Sequence, residues 1–137
     1  MFPLGGSNFQ LFQQALDSTS LRHKVITNNI ANNDTPNFKR SDVVFEELLQ
    51  EQMNGGTPAL EGRRTNSRHI PIGGNGSAIP NPEIRVDENT TMNNNQNNVD
   101  IDYESALLAK NQLKYNVLVN QLNHEFRSVR TAIDGRR

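Results

Sequence analysis

The chain has 137 residues, 34% hydrophobic and 6% aromatic, with no Trp and no Cys, and its formal net charge is −1. Such a charge gives no strong field to attract nucleic acid or an anionic membrane, and the lack of Cys excludes a disulfide framework or a Cys-based zinc site. A mean hydropathy of −0.72 leaves little apolar area to offset conformational entropy, so part of the chain either stays disordered alone or buries surface against partners.

Met1–Gly6 has neither a basic n-region nor an apolar h-region, so no cleavable secretory signal is expected. No apolar run approaches the roughly 20 residues needed to span a bilayer. Ser7 or Asn8 can cap a helix predicted over residues 8–33. Phe9, Phe12, Leu16, Thr19, His23, Ile26 and Ile30 follow alternating steps of three and four, the seam of a coiled coil. Leu4, Leu11, Leu21 and Val25 fall off that seam, which predicts apolar contact on a second side. His23 has no second ligand one turn away, and His69 and His124 lie far from it, so no metal or catalytic site is expected.

Pro36 ends the helical pattern and drives Thr35 out of the α region. Asn32 or Asn33 is the expected left-handed cap, and Thr35-Pro36-Asn37-Phe38 suits a type I turn. Ser41–Val44 is expected to be extended or to lead into a short helix carrying Phe45, Leu48, Leu49 and Met53, closed by Asn54-Gly55-Gly56. Residues 55–98 are rich in Gly, Pro and Asn and read as a flexible or extended loop, with Met92–Asn98 a low-complexity tract. Within it, Gly73–Ser77 lacks the Lys-Ser/Thr end of a phosphate loop. Arg63, Arg64, Arg68 and His69 read as a solvated basic run, and Glu83–Asp87 alternates like a short strand. Order is expected to return at Val99, with Asp100 or Asp102 capping a helix over about 101–134 and Gly135 closing it. Leu108, Tyr115, Val119, Leu122, Phe126, Val129 and Ile133 form its stripe, while Leu107, Val117 and Leu118 lie off it.

Residues 28–39, Asn-Asn-Ile-Ala-Asn-Asn-Asp-Thr-Pro-Asn-Phe-Lys, entered from a helix, resemble the N-terminal signature of bacterial flagellar rod and hook proteins. The matching positions are Asn29, Ala31, Asn32, Asp34, Thr35, Pro36, Phe38 and Lys39. Arg68-His69-Ile70-Pro71 and Asn98-Val99-Asp100-Ile101-Asp102-Tyr103-Glu104 resemble a loop element and the lead-in to the last helix of the proximal rod members of that axial family. The resemblance implies a structural subunit of the proximal rod, in the basal body, exported by the flagellar type III apparatus without a cleavable signal. It implies self-association and contact with other proximal rod proteins, the rod-ring adaptor protein and the membrane-ring protein. Nucleic acid, small-molecule substrate, cofactor and enzymatic activity are not expected. Phe45 and Leu49 carry the aromatic-to-aliphatic spacing thought to contact the export gate in this family. The alternative is another flagellar axial protein, such as a different proximal rod component.

Together these readings give one all-α, rod-type domain over 1–137: two long terminal helices pairing as an antiparallel coiled coil, a turn and short helix at 34–54, and an irregular middle. The off-seam residues Leu11, Leu21, Val25, Leu107, Val117 and Leu118 would then lack a cover. At roughly 1.5–3 kcal/mol each, leaving them wet would forfeit on the order of 10 kcal/mol, comparable to the whole stability of a domain. The expected cover is another chain.

Overall fold

The computed structural model describes residues 7–54, 79–92 and 95–135. Leu4, the basic run at 63–69, the Arg68–Pro71 element and Gly73–Ser77 lie outside the described residues. The elements run α1 (Ser7–Ala31), β1 (Ser41–Val44), α2 (Glu46–Asn54), β2 (Glu83–Val86) and α3 (Ile101–Asp134). Both long helices fall where the periodicity puts them. Asp100 is the N-cap of α3, its carboxylate accepting from the amides of Asp102 and Tyr103, and Gly135 ends the helix at φ 51° in the left-handed region. At 1.5 Å per residue α3 is about 50 Å long.

The helices pair antiparallel. Asn29 near the end of α1 meets Glu104 at the start of α3, Asn111 reaches Thr19, and the Phe9 and Phe126 rings lie 6.2 Å apart at the other end. The β1 and β2 strands pair antiparallel, with Val43 opposite Ile84 and Ser41 opposite Val86. This small ribbon lies across the junction of the helices, and β1 packs on α1.

That placement corrects the second-side argument. Val25 is buried, not bare: it sits one turn from Arg22 and Asn29, whose side chains both reach β1. Leu11, Leu21, Leu107 and Leu118 are half-buried; among the described off-seam residues, only Val117 is truly exposed, at 66%. The chain itself therefore covers part of what the periodicity assigned to a partner, at Val25 beside the ribbon. The surplus moves to α3, where Leu113 is 67% exposed and Tyr115, Phe126 and Ile133 are also open. The seam of α1 is correspondingly rotated: Thr19 and Ile26 are buried, while His23 is exposed.

The signature turn also differs in detail. Phe38 N–H donates to the Thr35 carbonyl, closing the expected four-residue turn. The left-handed residue, however, is Asn37 at φ 60°, not Asn32 or Asn33. A positive φ at the third position marks a type II turn, not the expected type I. Asn tolerates this better than most non-glycine residues because its short polar side chain can hydrogen-bond to the nearby backbone.

A polar clasp at the helix junction

The centre of the molecule is mostly polar. Its buried apolar side chains are Val25, Ile26, Val43, Phe45 and Val99; its buried polar ones include Asn29, Asn97, Asn98, Glu104 and Asn111. Buried polar groups are tolerated only when they are hydrogen-bonded, and most of these are bonded to the signature segment.

Asn29 acts like a piece of strand. Its Oδ1 accepts from the Ser41 amide at 3.1 Å and its Nδ2 donates to the Ser41 carbonyl at 2.8 Å. The same Nδ2 reaches Glu104 Oε2 at 3.2 Å. Glu104 is fully buried, and its other oxygen accepts from Arg40 Nε at 2.6 Å. The Arg40 guanidinium lies 5.3 Å from the centre of the Tyr103 ring, within cation–π range. Burial alone would lower the Arg40 pKa, but its bond to the Glu104 carboxylate and that group's charge prevail and raise it.

Two residues of the Asn tract complete the clasp. A helix end leaves carbonyls without intrahelical partners. Asn97 Nδ2 meets the carbonyls of Asn32, Asn33 and Thr35, each at 2.9 Å, and its Oδ1 accepts from the Val99 amide. Asn98 Oδ1 accepts from the Arg40 amide at 2.6 Å, while its Nδ2 donates to Asp87 and Thr90. Lys39 Nζ donates to the carbonyls of Thr90 and Gln96. Thus Asn97 and Asn98, at the end of the Met92–Asn98 tract, are buried and bonded although their backbone is irregular; Asn93 and Asn94 lie outside the described residues. Composition does not reveal which side chains the carbonyls at the end of the preceding helix need.

The signature positions divide by role. Asn29 and Lys39 bond with their side chains across the clasp, and Asn32 braces the turn through Asn28 and Thr35. Thr35 supplies a carbonyl to Asn97, whereas Ala31, Asp34 and Pro36 are exposed and Phe38 is half-buried. Arg40, Asn97, Asn98, Glu104 and Asn111 were not recognised as site residues from the sequence. A signal was present: the C-terminal stripe, stepped back from Leu108, lands on Glu104, and Asn111 sits in phase between Leu108 and Tyr115.

A second cluster joins three helices. Arg22 on α1 and Lys114 on α3 both bind Glu46 at the start of α2, Lys114 Nζ at 3.0 Å. Burial alone would raise the Glu46 pKa, but the Arg22 and Lys114 hydrogen bonds outweigh it and lower it to about 2. Of the candidate export-gate pair, Phe45 is buried and Leu49 half-buried. Among the predicted packing residues, Phe9, Phe12, Leu16, Ile30, Leu108, Val119, Leu122 and Val129 are half-buried, Ile26 is buried, and Tyr115, Phe126 and Ile133 are exposed. Among the described residues, no three His, Asp or Glu side chains are grouped to hold a metal, and no helix is long and apolar enough to cross a membrane.

The profile of the flagella basal body rod protein family matches residues 10–39, which span most of α1 and the signature turn. The flagellar basal body rod protein FlgB of Bacillus subtilis is 38% identical over 132 residues, covering 96% of this chain and 97% of that protein. FlgB of Borreliella burgdorferi is 40% identical over 122 residues, covering 83% and 86%. FlgB of Proteus mirabilis is 32% identical over 126 residues, covering 90% of each.

Proposed function

Because this chain belongs to the FlgB family of flagellar basal body rod proteins, we infer that it is a structural subunit of the proximal rod of the bacterial flagellum. The observation that carries this reading is 38% identity to the FlgB of Bacillus subtilis over 96% of this chain and 97% of that protein. Its location is the basal body. The similar proteins compared above are all FlgB, which favours this over a different axial component.

The work is architectural. α3 presents Leu113 and Val117 to solvent, with Tyr115, Phe126 and Ile133 partly open along the same helix. Burying a large apolar side chain stabilises by roughly 1.5–3 kcal/mol, so this helix has free energy to gain from a neighbour. The neighbours are other rod subunits. Copies of this chain, further proximal rod proteins, the rod-ring adaptor protein and the membrane-ring protein are the specific partners. Head-to-tail contacts that do not close on themselves build an open helical assembly, and the polar clasp holds each subunit's helical pair ready for it. Delivery through the type III export apparatus requires an unfolded chain at the gate, since the fold hides Phe45.

The test is complementation. In a flagellated host lacking its own copy, the unaltered chain restores swimming in soft agar. Leu122→Asp or Phe126→Asp places a charge in the helical seam or at its rim and abolishes rod assembly. Normal motility with either substitution overturns the reading.

A further inference from the structure

Three contacts mark how α1 and α3 are aligned: Asn29 with Glu104, the Thr19 carbonyl with Asn111 Nδ2 at 2.8 Å, and Phe9 with Phe126. The aromatic end is permissive. Val119 and Ile133 stand seven residues either side of Phe126 on the same stripe, so a slide of one heptad gives Phe9 another apolar neighbour. The polar end is selective. Glu104 and Asn111 are also seven apart, both on the inward face of α3 and both buried. The same slide takes Asn111 off the Thr19 carbonyl and Glu104 off Asn29 and Arg40. Slid towards Val119, Glu104 arrives beside the Thr19 carbonyl, which offers it no donor; slid towards Ile133, Glu104 leaves both its partners and Asn111 takes its place beside Asn29, so either slide costs the buried charge its bonds.

Asn111 also carries a penalty in its present place. Its Nδ2 is committed to the Thr19 carbonyl, which can only accept, so Oδ1 needs a donor. Among the described residues that oxygen has none. A leucine would fill the position without an orphaned acceptor. A residue that weakens the seam where it sits, yet penalises every other alignment, is a residue of specificity.

We propose that Glu104 and Asn111 are the register determinants of the α1–α3 pair: positioning residues that admit one antiparallel alignment of an otherwise slippery apolar seam. This rests on the rod reading and deepens it. The height of Leu113 and Val117 relative to α1 is set only when the register is single, and a neighbouring subunit can dock only on a surface of fixed shape.

The chain has no Cys, so introduced pairs report the register directly. Phe9→Cys is combined in turn with Val119→Cys, Phe126→Cys and Ile133→Cys in the dilute full-length chain, and intramolecular disulfide yield is read on non-reducing gels. The 9–126 pair is expected to exceed both others by about tenfold or more, since either slide unseats the buried Glu104 charge as well as Asn111. Adding Asn111→Leu is expected to hold or raise the urea midpoint while the off-register share climbs several-fold. Moving the polar residue, Asn111→Leu with Leu118→Asn, is expected to raise the 9–133 share above that of Asn111→Leu alone, because Asn at 118 reaches Thr19 only after a one-heptad slide, while Glu104 still favours the native alignment. An unchanged cross-link pattern with a lowered midpoint overturns the proposal, since the two residues would then be mere stabilisers. Failure of Asn111→Leu to fold overturns it too, because a residue kept at a cost to stability cannot be required for folding. The readout uses the isolated chain, so a negative result leaves the rod reading standing. Lost motility is what tests that reading.

Discussion

Arg40→Met is the sharpest test of the clasp. The substitution keeps an apolar stem and removes the guanidinium that bonds Glu104 Oε1 at 2.6 Å and stacks on Tyr103 at 5.3 Å. Glu104 is then left fully buried with one neutral donor, Asn29 Nδ2 at 3.2 Å. Breaking a buried ion pair from one side costs about 3–5 kcal/mol because the surviving charge is uncompensated, and the lost stacking adds about 0.5–1 kcal/mol. The native stability of a domain this polar belongs near the low end of the usual range of about 5–15 kcal/mol, so the variant should be close to half unfolded in water. Urea titration followed by circular dichroism at the helix minimum reads this directly. Removing the second charge as well, Arg40→Met with Glu104→Gln, should recover more than half of the loss, since no charge is then stranded. A loss below about 1 kcal/mol in the single variant, or no recovery in the double, would refute the claim that a buried ion pair closes the junction.

Asn97→Ala should cost about 1–3 kcal/mol and speed amide exchange from Asn32 to Phe38, because the Asn33 carbonyl loses its donor and the Asn32 and Thr35 carbonyls keep only a backbone N–H each; a loss within experimental error would mean the Asn97 side chain does not hold the helix end. Glu46 gives a pH signature. Its folded pKa of about 2 lies below the ordinary value of 4.5, so the stability it contributes is present above 4.5 and is lost as pH falls from 4.5 towards 2. With its side chain 54% exposed, solvent screening reduces that contribution to about 1 kcal/mol. Glu46→Gln should flatten the acid limb of the stability curve by that amount, and an unchanged limb would remove Glu46 from the account. Val117→Asp and Leu113→Asp lie on the open face of α3, so they should change urea stability by less than about 0.5 kcal/mol yet impair swimming. Equal damage to folding would mean these side chains pack within the subunit.

Much of the skeleton was legible. A three-four rhythm, an aspartate before the last helix and a glycine after it are local statements, and a helix is a local structure: its hydrogen bonds join residues four apart. α1, α3, the Asp100 cap, the Gly135 stop and β2 all follow from neighbours in the chain. The type of the signature turn did not, because nothing local to Asn37 announces that its φ is positive.

The clasp belongs to a different order. Asn97 and Asn32 are separated by 65 residues, and Glu104 and Arg40 by 64. Along the chain an Asn in a run of Asn looks like loop, and a Glu in a first helical turn looks like a partner for the helix dipole. Only when the end of α1, the ribbon and the start of α3 converge do these side chains become donors and acceptors for groups that have lost their water. Periodicity could say that two helices would form and that apolar faces would seek cover. Which face the chain covers with its own ribbon, and which it leaves to a neighbour, was decided in three dimensions by where that ribbon came to rest.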